Sequence, residues 1–136
     1  MEDIRSKVKL DWREIERLVS IIAAKLTLKQ NGIQNIYGCS RGGLIPAVIL
    51  SHKTGIPLIT NKEKIDKSTL IIDDICDTGD TFWKMFSTYP TKNYAVLHLR
   101  QGNDFPCIYA VEVINDWIVY PWEDEKAEAI QDYLKK

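Results

Sequence analysis

The segment that most constrains the fold covers residues 70–82, with the sequence LIIDDICDTGDTF. It begins with three apolar residues, two of them β-branched, and a short run of this kind is typical of a buried strand. Two adjacent carboxylates, Asp73 and Asp74, follow the run, and a Thr-Gly-Asp-Thr sequence occupies residues 78–81. Glycine frees the backbone and threonine can cap a helix, so this sequence predicts a loop that opens a helix.

A loop of this type also predicts an anion site. Backbone N–H groups and hydroxyls at the start of a helix bind phosphate readily. Two neighbouring aspartates are costly to place together unless a cation or a polyol offsets their repulsion. Carboxylates beside a phosphate cradle, at the carboxyl end of a strand, suit a molecule with vicinal hydroxyls and a phosphate, such as a sugar phosphate.

A second motif, Cys-Ser-Arg-Gly-Gly at residues 39–43, lies between a short apolar strand and an apolar helix. Two glycines let the backbone approach a ligand closely or adopt a strained geometry. Arg41 presents a fixed fork of donors that suits phosphate oxygens, and the helix after the loop adds its positive end. This motif therefore predicts a second anion site.

The remaining pattern predicts an α/β domain. Asp11 and Glu14 form a capping-box-like pair before a helix with regular apolar spacing that Gly32 ends. We predict a mainly parallel sheet flanked by helices on both faces, because short apolar runs alternate with helical segments. The predicted strands are residues 7–10, 33–37, 56–59, 70–72, 94–99 and 108–114, and later helices start near residues 44, 82 and 124.

Composition limits the classes of function open to the chain. The chain has 136 residues, enough for one domain, and a net charge of −1 that gives no electrostatic case for binding nucleic acid. Three cysteines stand far apart without a Cys-x-x-Cys pair, so we expect neither a zinc site nor disulfides, and a cytoplasmic location. No apolar run approaches the roughly 20 residues of a membrane span, so we expect no membrane partner.

These two motifs resemble the loops of the type I phosphoribosyltransferases. Residues 70–82 fit the family's phosphoribosyl-pyrophosphate (PRPP) signature, and Ser-Arg-Gly-Gly-Leu-x-Pro-Ala is similar to the pyrophosphate loop of the bacterial xanthine-guanine and hypoxanthine enzymes. The resemblance implies that Asp73 and Asp74 hold the ribose hydroxyls and that the loop after them binds the 5′-phosphate. The residues implied to bind PRPP are Ser40, Arg41, Gly42, Gly43, Asp73, Asp74, Asp77, Thr78, Gly79, Asp80 and Thr81.

The resemblance also implies a base site under a small hood, over residues 100–123. Trp117 matches an aromatic residue that stacks on the purine, and the backbone of Ile118 would contact the ring. Arg100 takes the place of a lysine that contacts the exocyclic oxygen of a 6-oxopurine, unless it is a surface arginine in a turn. The alternative for Trp117 is buried packing, and for His98 a structural role is favoured over that of a base.

Asp77 lies where the family places an acid near purine N7, so it is the candidate general acid or base. Mg²⁺ fits Asp73 and Asp74, because it takes few carboxylates together with phosphate oxygens and water. Glu123 would assist that ion or cap the last helix, residues 124–134. The expected partners are PRPP and a nucleobase, and the expected assembly is a homodimer or homotetramer.

One departure from the family leaves the activity open. Purine phosphoribosyltransferases usually carry a long mobile flap before the PRPP strand, whereas residues 60–68 offer only about nine residues here. Either Lys62, Lys64 or a neighbouring subunit helps to close the site, or it stays open. The expected function is transfer of ribose 5-phosphate to a 6-oxopurine. The alternatives are a non-catalytic PRPP-binding regulator, a transferase for a pyrimidine or other base, and an aspartate-nucleophile phosphatase, which the Asp-Asp spacing disfavours.

Overall fold

The computed structural model describes residues 6–29 and 32–123, so the predicted helix at 124–134 lies outside the described residues. No helix in this part of the chain is long and apolar enough to cross a membrane. The elements, in chain order, are β1 (Lys7–Lys9), α1 (Trp12–Lys29), β2 (Asn35–Gly38), α2 (Ser40–Thr54), β3 (Leu58–Ile59), a 3₁₀ turn (Lys62–Lys64), β4 (Thr69–Cys76), α3 (Asp80–Thr88), β5 (Asn93–Arg100), β6 (Ile108–Val113) and β7 (Trp117–Val119).

Five parallel strands form the main sheet, in the order β3-β2-β4-β5-β6. The predicted parallel α/β fold is therefore confirmed. The strand that carries the acidic pair, β4, lies at the centre, where Gly38 of β2 pairs with Ile72 and Val96 of β5 pairs with Asp73. Ligand sites of open parallel sheets gather at the carboxyl ends of such central strands.

The apolar runs are buried on both faces of the sheet, as the sequence predicted. Alternate residues of a strand point to opposite faces. Leu70 and Ile72 belong to one apolar cluster, which α1 and α2 cover, whereas Ile71 belongs to the other, which α3 covers. Strands buried in this way fix the sheet between two helical layers.

The structure extends the central strand beyond its predicted end. β4 continues to Cys76, so Asp73 and Asp74 are strand residues and do not follow the strand. Parallel pairing explains this extension, because Ile75 and Cys76 still pair with His98 and Leu99 of β5.

Part of the segment predicted as a hood belongs to the main sheet. Residues Ile108–Val113 form its edge strand β6, where the sequence predicted a strand. A separate two-stranded sheet is made by β1 and β7, in which Lys7 pairs with Trp117.

The first turn of α2 packs directly against β4. An ideal Cβ at Gly43 would lie 2.3 Å from the carbonyl oxygen of Ile72, and one at Gly38 would lie 2.6 Å from Cα of Leu44. The glycines therefore let the helix approach the sheet. The helix starts at Ser40, earlier than the predicted start near residue 44.

A buried hydrogen-bond chain joins the hood segment to the central strand. His98 of β5 is only 4% exposed, and its Nδ1 lies 2.7 Å from the hydroxyl of Tyr120. That hydroxyl donates to the main-chain carbonyl of Asp74 at 3.1 Å. Burial lowers the pKa of His98 to about 4, so the histidine is neutral at pH 7 and its structural role is the one observed.

We predict that His98 makes the fold sensitive to acid. The unfolded chain protonates this histidine near pH 6.5, whereas the folded state keeps it neutral down to about pH 4. The unfolded state therefore binds more protons in this window, and the free energy of unfolding falls as pH is lowered through it. The loss is about 3 kcal/mol. Urea unfolding of wild type and His98→Gln from pH 7 to pH 4 measures it.

His98→Gln has no titrating group at this position, so its free energy of unfolding lacks this fall at low pH. The difference in free energy of unfolding between wild type and His98→Gln should therefore be smaller at pH 4 than at pH 7 by about 3 kcal/mol. His52→Gln, exposed on α2, is the matched control and should follow the wild-type curve. Parallel curves for wild type and His98→Gln would contradict the prediction.

We also predict that Gly43→Ala destabilises the chain. Within a helix this exchange normally stabilises by about 1 kcal/mol. Here the new methyl would overlap the Ile72 carbonyl, which belongs to rigid sheet backbone, so a loss of about 1–3 kcal/mol is expected. Thermal unfolding measures the sign, with Ser20→Ala on the exposed face of α1 as the control. A more stable Gly43→Ala variant would contradict the close packing.

Candidate functional site

The acidic pair lies inside the protein at the carboxyl end of β4. Asp73 and Asp74 are only 6% and 7% exposed. Each carboxylate accepts a hydrogen bond from the next backbone N–H, at 2.8 Å from that of Asp74 and at 2.7 Å from that of Ile75. These bonds orient the two side chains, because a carboxylate bonded to its own backbone loses rotational freedom.

Burial disfavours the ionised form of both carboxyls. It raises the pKa of Asp74 to about 6, and the nearby charge of Glu123 acts in the same direction. Burial raises the pKa of Asp73 well above its usual range, and the neighbouring Asp74 adds to the effect. Two buried carboxyls whose ionised forms are disfavoured are typical of sites that bind a cation or a hydroxyl-bearing ligand.

The predicted pyrophosphate loop meets this pair. The hydroxyl of Ser40 lies 3.4 Å from Oδ1 of Asp73. An ideal Cβ at Gly42 would lie 2.2 Å from Oδ2 of Asp74, so only glycine fits against that carboxylate. Ser40 has a φ of 60°, an unusual backbone conformation for a residue with a side chain. The structure thus brings the start of α2 and the acidic pair into contact.

The predicted phosphate loop connects β4 to α3. Gly79 stands at the helix start with a φ of 88°, which favours glycine. Thr78 Oγ1 accepts from the backbone N–H of Asp80 at 3.2 Å, and the N–H of Trp83 donates to the Gly79 carbonyl at 2.8 Å. The loop therefore opens a helix as the sequence predicted, and Thr81 lies in its first turn.

Asn103 holds this loop, a role that sequence reasoning missed. Its Nδ2 donates to the main-chain carbonyl of Asp77 at 2.8 Å, and its Oδ1 accepts from the backbone N–H of Phe105 at 2.9 Å. Asn103 lies in a polar turn after β5, and only the fold brings that turn beside the β4–α3 loop. The one available signal was an asparagine next to a glycine, which indicates a turn but not its partner.

Arg100 also contacts Asp77. Its Nε donates to Oδ1 of Asp77 at 3.1 Å, and its Nη1 donates to the carbonyl of Asp116 at 3.0 Å. The arginine side chain is 15% exposed and the Asp77 side chain 53%. Arg100 is therefore not a loose surface arginine, and the structure gives it a carboxylate partner that the sequence did not predict.

Of the three residues predicted to bind the base, Trp117 and Ile118 lie in β7, beside the first strand. Trp117 is half-buried, and Nζ of Lys7 lies 5.1 Å from the centre of its ring. Ile118 points its side chain into the core, where it is 7% exposed, which leaves its backbone for the predicted contact. Trp117 stands one residue after the carbonyl that Arg100 binds, so the base segment and the Asp77 loop are joined.

Glu123 and the connection that contains Lys62 make local contacts. The carboxylate of Glu123 accepts from the backbone N–H of Tyr120 at 2.9 Å and closes a turn. The connection between β3 and β4 contains the 3₁₀ turn Lys62–Lys64, where Asn61 Oδ1 accepts from the N–H of Glu63 at 2.9 Å. The buried side chain of Ile65 anchors its far end in the core.

The chain is similar to known proteins in both sequence and fold. No protein-family model matches the chain. It is similar to a xanthine-guanine phosphoribosyltransferase from Gluconobacter oxydans, at 28% identity over 82% of each chain. A purine phosphoribosyltransferase structure from Pyrococcus horikoshii is 31% identical, with a TM-score of 0.74, and the match covers 90% of this chain and 97% of that one.

A third match concerns the fold alone. The xanthine-guanine-hypoxanthine phosphoribosyltransferase from Helicobacter pylori has a TM-score of 0.71 over 86% of this chain and 93% of its own, at only 12% identity. The likeness in sequence and fold to the Pyrococcus structure, at nearly full length, decides the assignment. This chain belongs to the type I phosphoribosyltransferase family and is thus an enzyme of the pentosyltransferase class.

Proposed function

We propose that this enzyme transfers ribose 5-phosphate from PRPP to a 6-oxopurine, namely guanine, xanthine or hypoxanthine, and releases pyrophosphate. The observation that carries the proposal is the contact between two loops and one buried acidic pair. Gly42 and Ser40 face Asp74 and Asp73, while the β4–α3 loop continues from the same strand. Relatives named xanthine-guanine phosphoribosyltransferase support a purine as the acceptor.

Each part of PRPP has a partner in this arrangement. The start of α2, with Ser40 and Arg41, would bind the pyrophosphate through backbone N–H groups and the guanidinium. The acidic pair would accept hydrogen bonds from the ribose hydroxyls. The start of α3, with Thr78 and Thr81, would bind the 5′-phosphate.

Mg²⁺ fits the site when it arrives with the substrate. Within the described residues, no group of three or more His, Cys, Asp or Glu side chains could hold a metal ion. The acidic pair alone supplies two carboxylates, and Mg²⁺ commonly takes one or two carboxylates with phosphate oxygens and water. Bound there, it would offset the charge of the pyrophosphate. Asp73 and Asp74 would hold it. One carboxylate oxygen of Glu123 accepts the N–H of Tyr120, so Glu123 would assist only through its other oxygen.

The reaction breaks the bond between ribose C1 and pyrophosphate, and a purine nitrogen forms a new bond to C1. Positive charge develops on the ribose ring as the leaving group departs, and the buried carboxylates would stabilise it. Asp77 would hold or move a proton at N7 of the base. Trp117 offers an aromatic face for stacking, and the backbone of Ile118 offers hydrogen-bonding groups to the ring edge.

One observation favours a second candidate function. The connection between β3 and β4 is short, Asn61 caps its 3₁₀ turn and the buried side chain of Ile65 anchors it in the core, so it is poorly suited to close over the site. A site that water can enter suits a PRPP-binding regulator better than an efficient transferase. Asp77 and Trp117, which a regulator does not need, favour the enzyme. A cytoplasmic homodimer or homotetramer completes the proposal.

The decisive test incubates the protein with PRPP, Mg²⁺ and one of five bases: guanine, xanthine, hypoxanthine, adenine or uracil. Release of pyrophosphate with at least one 6-oxopurine, and formation of the matching nucleotide by chromatography, are expected. Arg41→Gln, which removes the cation from the pyrophosphate loop, should weaken turnover with every base. PRPP binding without turnover on any base would support the regulator, and uracil turnover alone would exclude the purine assignment.

We predict that Asp77→Asn lowers kcat by about 10²–10⁴-fold, because a positioned acid or base contributes a factor of this size. The dissociation constant of PRPP, measured by calorimetry, should change by less than about threefold, because the backbone of the phosphate loop stays in place. Asp104→Asn, an exposed aspartate in the turn after β5, is the control. Wild-type turnover in Asp77→Asn would show that the role is wrong.

A further inference from the structure

Arg100, at the end of β5, hydrogen-bonds two segments whose relative position matters for the proposed reaction. Nε of Arg100 donates to Oδ1 of Asp77, at 3.1 Å, in the β4–α3 loop. Nη1 of the same guanidinium donates to the carbonyl of Asp116, at 3.0 Å, one residue before Trp117. One rigid planar group therefore spans the candidate proton-transfer residue and the segment that carries the stacking tryptophan.

A second contact fixes Asp77 from the same side. Asn103 donates to the main-chain carbonyl of Asp77 at 2.8 Å, and the backbone N–H of Asn103 donates to the carbonyl of Arg100 at 3.0 Å. The last residue of β5 thus binds the carboxylate of Asp77, and the turn after β5 binds its backbone. Since the Asp77 side chain is 53% exposed, few packing contacts hold it, and these hydrogen bonds set its orientation.

The contact depends on the shape of arginine. A guanidinium presents several donors in a fixed fork, whereas a lysine ammonium is a compact point charge on a flexible stem. Lysine at this position would reach one of the two partners at a time. The low exposure of the Arg100 side chain, 15%, shows that it is held along its length between β5 and the hood.

We propose that Arg100 is a positioning residue, which holds the Asp77 carboxylate at a fixed place relative to the base-stacking segment around Trp117. This inference rests on the proposed function and deepens it. It differs from the role implied by the family resemblance, in which the residue at this place contacts the exocyclic oxygen of the base. The two roles predict different kinetics, because one acts on the proton-transfer step and the other on base affinity.

The test compares wild type with Arg100→Gln, Arg100→Lys, Asp77→Asn and the double variant Arg100→Gln/Asp77→Asn. Steady-state kinetics with saturating PRPP and a varied 6-oxopurine give kcat and the KM of the base. Arg17→Gln is the matched control, because Arg17 also pairs with a carboxylate, Glu14 at 3.1 Å, but on the exposed face of α1. Melting temperatures of all variants set the assay temperature below unfolding.

For a positioning residue, Arg100→Gln should lower kcat by on the order of 10- to 100-fold, since misplacing a reacting group by about 1 Å costs a factor of this size. The KM of the base should change by less than about threefold. The kcat of Arg100→Lys should lie between those of wild type and Arg100→Gln, because lysine restores one of the two contacts. In the Asp77→Asn background, Arg100→Gln should lower kcat by less than about threefold, because the group it positions is already disabled.

Other outcomes overturn the inference. A raised KM for the base with kcat preserved, and the same increase in the Asp77→Asn background, would assign Arg100 to the base. Wild-type kinetics in Arg100→Gln, or a loss equal to that of Arg17→Gln, would remove it from the site altogether. If wild type gives no nucleotide with any base, the proposed function fails first, whereas an active wild type confines a negative result to Arg100.

Discussion

The site depends on the close approach of the first turn of α2 to the end of β4. Backbone meets backbone there, since a methyl group at Gly43 would overlap the carbonyl of Ile72. That carbonyl also accepts the N–H of Cys39 at 2.8 Å, which continues the pairing of β2 with β4. A packed contact of this kind has little freedom to adjust. The distance from the helix start to the acidic pair is therefore a property of the fold, and no ligand is needed to create it.

The same contact explains the energetic cost of the acidic pair. Asp73 and Asp74 are buried because β4 continues through them to Cys76 and because α2 covers their ends. Burial raises the pKa of both carboxyls, to about 6 for Asp74. Hydrogen bonds from backbone N–H groups offset part of this cost. Under the proposed function, bound hydroxyls or a cation would compensate the remainder, which favours a polyol phosphate as the ligand.

Local sequence patterns were sufficient for the sheet and for the two loops. Short apolar runs such as residues 70–72 predict strands wherever a sheet is buried on both faces, and here it is. The errors lie where tertiary contacts outweigh local preference. Glycines oppose a helix start, yet α2 begins at Ser40 because its first turn packs on β4. Aspartates are rare in strands, yet pairing with β5 carries β4 through them.

The contacts within the site were beyond sequence reasoning for a related reason. Arg100 meets Asp77 across 23 residues and Asn103 meets it across 26, and neither helical nor strand periodicity encodes such pairs. β7 is three residues long and becomes recognisable only when it pairs with β1 at the other end of the chain. Sequence motifs thus named the predicted ligand-binding groups, whereas the fold supplied the groups that hold them.

This division bears on how a site with a short connection in place of a flap can work. Closure of a mobile lid is one way to bring reacting groups together, and prior fixation of those groups is another. The connection from Asn61 to Ile65 is capped and anchored, so it contributes little closure. The loops around Asp77 and Trp117 are instead bound to each other through a single guanidinium, at 3.1 Å and 3.0 Å. Under the proposed function, these contacts would supply by preorganisation the alignment that closure of a longer lid would otherwise provide.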